Sequence, residues 1–364
     1  MDLKKIFIKD ARPTRIGGQA VLEGIMMKGD ARTAVVVRGT KGRLYIKTEK
    51  LPPLHKAAGI PVVRGVYIFV TTLVSGMKTL MYSAEVLEKF YDEDESEKPD
   101  EAKGDGAKGT EAKGNEAKGT EAKDTEKSEG GIPFGVMITL SVVIALAFVV
   151  GIFIIVPTIV INFLGTYIDN AIALNLLEGV LRIVLFVVYI AIVSRMKDIQ
   201  TTFEYHGAEH KTIHCYENGL TLTPDNAAQF ETLHPRCGTS FLMFVMIIAL
   251  LVFSLLGWPN LAIRIASRII FIPIIAGLSY ELLRYAGRSD TLLVKILSVP
   301  GLLLQKLTTR NPDASQLEVA IAALKAVLVS PDMPDIEGFC DTDGKLIPAE
   351  DSIEYQSALE GLWA

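Results

Sequence analysis

Four of the five histidines in this 364-residue chain, and two of its three cysteines, fall between residues 206 and 237. Residues 203–217 read FEYHGAEHKTIHCYE. As a helix at 100° per residue, this places His206, Glu209, His210, Ile213, His214 and Glu217 within about 140° of one another. His206 and His210 are four apart, a spacing that lets two imidazoles converge on one metal ion. With Glu209 they form an H-x-x-E-H pattern, in which the carboxylate serves as general base beside two ligands. His214 lies two turns from His206, roughly 12 Å along a straight helix, so all three histidines cannot share an ion. His214 and Glu217 are therefore expected as outer partners or alternative ligands. Cys215 points about 180° away from His206 and is left out.

A third ligand must come from elsewhere, and HPRCG at residues 234–238 offers His234 or Cys237. Pro235 and Gly238 favour a fixed turn, and a cysteine beside a helix N-terminus is readily available as thiolate. Imidazole and thiolate suit zinc, and three protein ligands plus water describe a catalytic zinc site, whose natural use is hydrolysis. The expectation is a divalent metal, zinc above all, with Glu209 as general base. The alternative is a non-enzymatic membrane scaffold, or a regulator sensing metal or pH through the same histidines.

The elements that must position this cluster are mostly apolar. The chain is 49% hydrophobic, with a mean hydropathy of +0.33, which is hard to place in a water-soluble fold. Residues 135–164 and 239–263 carry no charge; residues 174–194 and 261–285 carry few. The first 22 residues of residues 135–164 would reach about 33 Å as a helix, enough for a hydrocarbon core of about 30 Å. The predicted fold is therefore mainly α: a polytopic membrane protein with four transmembrane helices over residues 131–290. The loop at 195–238 holds Arg195, Lys197, Lys211 and Arg236, whereas the loop at 166–177 and the turn at 257–260 hold no Lys or Arg. The positive-inside rule then sets both termini and the His-rich loop in the cytoplasm of a multi-pass cell-membrane protein. No cleavable signal peptide is expected at residues 1–10. Glu178 and Arg182, with Arg264 and Arg268, are charges inside the spans.

Residues 92–130 differ in kind. A unit EAKG(T/N/D) repeats there with no branched aliphatic or aromatic residue, the composition of a disordered tether. Removing the 14 acidic residues and 7 lysines of this tract from the chain's 42 and 37 leaves 28 acidic and 30 basic residues. The net charge of −5 thus belongs to the tether, and no nucleic-acid partner is expected; the bilayer is, together with a substrate or membrane-protein partner the residues leave open. Residues 1–91 read as a small cytoplasmic module, with a β-hairpin at 33–38 and 43–50 and an amphipathic helix at 60–90. Residues 291–330 read as an interfacial segment followed by a helix capped by Ser315 and Glu318, and residues 331–364 as a flexible tail.

Five motifs carry a resemblance: GGQAVLEGIMMKG (17–29), PVVRG (61–65), EYHGAEHKTIHCYE (204–217), HPRCGTSFL (234–242), and LTTRNPD with QLEVAIAAL (307–324). Together they resemble the YqhQ-type family of bacterial membrane proteins, a family of unknown function described as predicted metal-dependent enzymes. The resemblance implies a bacterial integral membrane protein. It gives weight to Gln19 and Glu23 as site contributors, beside His206, Glu209, His210, His214, His234 and Cys237.

Overall fold

The computed structural model describes residues 6–8, 11–39, 42–53, 55–96, 140, 143–145, 147–257, 260–286 and 291–340. Most of the expected tether and the tail beyond residue 340 lie outside these residues.

The N-terminal segment forms an antiparallel meander, β1 (Gly17–Val21), β2 (Gly24–Lys28), β3 (Arg32–Arg38) and β4 (Leu44–Lys50). Alternation dictates its faces: Leu44, Ile46 and Thr48 of β4 point inward while Tyr45 and Lys47 point out. The two-residue turn Leu22–Glu23 joins β1 to β2, with Glu23 at φ +47°, in the left-handed region. The expected hairpin is thus the second half of a larger sheet. A fifth strand, β5 (Glu337–Cys340), pairs with β4, so the expected flexible tail instead contributes an edge strand. The wholly buried Arg32 fixes the approach to β5 by donating to the carbonyl of Met333 (2.6 Å).

Helices follow in the order α1 (Val63–Ser96), α2 (Val143–Leu164), α3 (Ala171–Val193), α4 (Lys197–Glu217), α5 (Pro224–Ala228), α6 (Gly238–Ser254), α7 (Leu261–Ala286), α8 (Leu292–Thr308) and α9 (Ala314–Leu328). The protein is mainly helical, and α2, α3 and α7 contain stretches long and apolar enough to cross a membrane, whereas α6 has 17 residues. Their outward faces carry Val184, Val188, Ile192, Ile270 and Ile272, all exposed, an apolar surface of the kind that meets lipid.

α4 is not a continuation of α3. Instead α3 stops at Val193, Met196 is extended at ψ 133°, and α4 starts afresh at Lys197. The break lets α4 leave the apolar bundle and lie against the sheet. α4 and α9 cover its inner face, and the main core joins Ile25, Met27, Val36 and Ile46 to Tyr205, Ile213, Leu317 and Leu324. The N-terminal module is therefore no unit of its own at 1–91. It is completed by α4, α9 and β5.

The cap of α9 also lies two residues earlier than expected. Asp313 accepts from Gln316 N (2.8 Å) and Gln316 Oε1 accepts from Asp313 N (2.9 Å). Ser315 only donates to Asp313. The carboxylate is the stronger acceptor for the exposed N–H groups at a helix start.

Candidate metal centre

The histidine face of α4 lies where the sheet domain meets the apolar helices. His206 Nδ1 donates to the carbonyl of Thr308 at the end of α8 (2.7 Å), and His210 Nδ1 donates to the carbonyl of Thr232 (2.5 Å). A carbonyl can only accept, so both Nδ1 atoms carry a proton, and Nε2 is the atom of each ring left for a ligand role. Carbonyl partners of this kind orient imidazole ligands in metal sites. His206 Nε2 lies 3.1 Å from Cys237 Sγ. Among the described residues, His210 Nε2 is buried and has no hydrogen-bond partner. The potential ligand atoms of His206, His210 and Cys237 all lie within 4.8 Å of one another.

Cys237 is the N-cap of α6, its sulfur accepting from Thr239 N at 3.4 Å. Burial would raise the thiol, but His206 and His210 more than reverse this and hold it well below its ordinary value. Burial would lower His206, but the Cys237 sulfur and Glu209 hold it up at about 9. Without metal the pair is thus an imidazolium beside a thiolate. Glu209 is buried beneath them, its Oε1 accepting from Gly18 N on β1 (2.8 Å). Burial raises its carboxyl, with His210 and His206 partly offsetting.

A donor set of two imidazoles and one thiolate, with a buried Nε2 left unpartnered, fits a zinc ion. Of the two candidate third ligands, Cys237 is the one beside His206 and His210. His234 sits instead with His214 and Glu217 in a second trio, also within 4.8 Å. In that trio the carboxylate is already taken. Glu217 Oε1 accepts from Thr14 N (2.8 Å), Thr14 Oγ1 (3.0 Å) and Arg236 Nη2 (2.5 Å), and Arg236 also reaches Oε2. His214 Nε2 donates to Leu233 O, and His234 Nδ1 accepts from Arg236 N. Burial lowers His214 to about 4 and holds His234 well below its ordinary value, so both are neutral.

Gln19 follows Gly18 on β1 and donates to Gly76 O on α1 (3.4 Å), which sets it at the border of the site. Glu23 is not brought in: its carboxylate meets the Tyr205 hydroxyl (3.4 Å), and it lies at the far turn of the β1–β2 hairpin. Cys215 faces away, its sulfur near the carbonyl of Thr221 (3.6 Å).

Sequence reasoning missed Gln305. This wholly buried side chain accepts from His234 N (2.8 Å) and donates to His234 O (2.9 Å) and Ser240 Oγ (3.1 Å). It locks the turn that delivers Cys237. A glutamine inside the otherwise apolar GLLLQKL was the available signal. Gly207 was also passed over; a Cβ there would run into the carbonyl of Arg310, which follows the Thr308 carbonyl that orients His206.

Fold and site together define a helical protein with membrane-length helices and a buried His–His–Cys cluster of metal-ligand type, roofed by a small β-sheet. The chain belongs to the family described as protein of unknown function DUF1385, whose match covers residues 60–330. It is 32% identical to the uncharacterized protein YqhQ of Bacillus subtilis (strain 168) over 324 residues, covering 87% of this chain and 93% of that protein. No solved structure matches it.

Proposed function

We propose that the protein is a zinc-dependent hydrolase of the cell membrane with its site facing the cytoplasm. α2, α3, α6 and α7 serve as four spans. At 17 residues α6 is at the short limit for crossing, and its cytoplasmic end is the metal site itself. The Lys and Arg residues of the loops set both termini and α4 on the cytoplasmic side.

The observation that carries this reading is the unpartnered Nε2 of buried His210 beside His206 and Cys237. A buried polar atom without a partner costs about 1–3 kcal/mol, and a cation at that point removes the cost. His206 Nε2, His210 Nε2 and Cys237 Sγ would hold the ion. A zinc ion with three protein ligands supplies Lewis acidity and makes water a nucleophile near neutral pH. Thr232 and Thr308 carbonyls keep the two rings in the ligating tautomer. Glu209, pinned by Gly18 N–H, accepts a proton from the attacking water and passes it to the leaving group. Its raised pKa suits both halves of that task.

Zinc measured in detergent-purified protein tests the reading. One equivalent is expected in wild type and in Glu209→Gln, and close to none in His206→Ala or His210→Ala. Glu209→Gln should retain the metal and lose turnover. Folded wild type that takes up no metal from excess zinc would overturn the proposal.

A further inference from the structure

α1 approaches α7 closely at Gly65. A Cβ on Gly65 would lie 2.8 Å from the backbone of Gly277, and Arg64 pairs with Glu281 beside this contact. Farther along, α1, α6 and α7 enclose a cavity of about 560 Å³. That volume lies within the roughly 300–1,000 Å³ of small-molecule sites.

The walls are almost wholly apolar, with Leu73 and Met77 of α1 facing Phe241 and Leu242 of α6. The floor is Thr239, whose hydroxyl lies 3.2 Å from Cys237 Sγ, and Gln19 borders it from β1. One side chain, Thr239, therefore stands between the cavity and the Cys237 sulfur. It also opens sideways: Leu73 and Met77 remain 59% and 56% exposed. They belong to a stripe on α1 with Val70, Val74 and Met81, all exposed at helical spacing. The lining comes from the first turns of α6 and the last turns of α7, the same end of both apolar helices.

We propose that this cavity receives the acyl chain of a membrane lipid, entering sideways from the cytoplasmic leaflet and bringing its head-group linkage to the His206–His210–Cys237 cluster. The head-group placement rests on the metal-site reading; chain binding does not. A lipid chain is favoured over a membrane-spanning peptide by size, because a helix with its side chains is about 10–12 Å across, so a cavity of about 560 Å³ holds little more than about one turn of it.

The test uses the full chain in nanodiscs of phosphatidylcholine doped with phosphatidylcholine bearing a diazirine midway along one acyl chain. Adducts are mapped by peptide mass spectrometry, and zinc is measured on the same samples. Labelling of residues 68–77 and 238–242 is expected at about five times or more the level on the outward face of α3. Thr72→Trp, or Leu283→Trp from the opposite wall, should cut it about fivefold, leaving α3 labelling and zinc content unchanged. Groove labelling no higher than on α3, or unaltered by both plugs, overturns the inference, as does its displacement by an equimolar hydrophobic membrane-spanning peptide. Zinc-loaded protein without groove labelling sinks the lipid inference alone. Zinc-free protein with groove labelling sinks the metal reading alone.

Discussion

Two trios of metal-ligand residues lie side by side on α4 and the turn before α6, and they are finished in different ways. In His206–His210–Cys237 the outer ring nitrogens are tied to carbonyls and one inner nitrogen has no partner. In His214–Glu217–His234 an arginine occupies the carboxylate, and the N-terminal segment adds two bonds from Thr14. The second trio already contains its cation, the Arg236 guanidinium. Ligand count and spacing therefore do not separate a metal site from a structural clamp. What separates them is whether a cation of the protein already stands among the donors.

The sharpest way to break this contrast is to exchange the losses. His210→Ala should weaken zinc binding by more than about 100-fold, beyond the 10–100-fold typical of outer partners, whereas His214→Ala should leave one equivalent bound. Equal losses by competition with a chelating dye would erase the distinction. Next in size, Glu217→Gln should cost about 2–3 kcal/mol of stability, the low end because Arg236 is partly exposed. Thermal unfolding should show this, with metal content unchanged.

Acid sharpens the same point. Burial would raise Glu217, but His234, Arg236 and the Thr14 N–H hold it at about 2, against an ordinary value of 4.5. Its folded value is depressed, so its stabilisation is complete above about 4.5 and fades as pH falls toward 2. The pH dependence of unfolding in that window should flatten in Glu217→Gln. The smallest effect concerns the first trio. His206 is protonated up to about 9 without metal, while Cys237 is already thiolate. Zinc uptake at neutral pH should release about one proton, and affinity should rise about tenfold per pH unit until near 9. Titration calorimetry in buffers of different ionisation enthalpy measures this directly.

The chemistry was legible in the sequence where it is local. The i, i+4 histidines and Glu209 lie on one helical face as the spacing predicts, and HPRCG forms the turn that starts α6. The choice between His234 and Cys237 was not legible, because it depends on Gln305, 71 positions from His234. Nor were the carbonyls of Thr232 and Thr308, since any residue type supplies a carbonyl. In the fold, the β3–β4 hairpin announced itself through alternation and its glycine-rich turn. β5 did not, because its partner strand is nearly the whole chain away and four residues carry little pattern. Apolarity marked all four long stretches, but α6 proved to be 17 residues because the helix ends at Ser254 and the chain turns at Leu255–Gly257, with Gly257 at φ +70°.

The closure of the sheet by α9 and β5 has a consequence for synthesis. β1–β4 leave the ribosome first, yet Ile25, Met27, Val36 and Ile46 are covered only by α4 and α9. At about 5–20 residues per second, α9 follows β4 by roughly 15–55 seconds. Through that interval an apolar sheet face and the open edge of β4 stay uncovered. Truncation before α9 should leave that face exposed and turn a folded protein into an aggregating one.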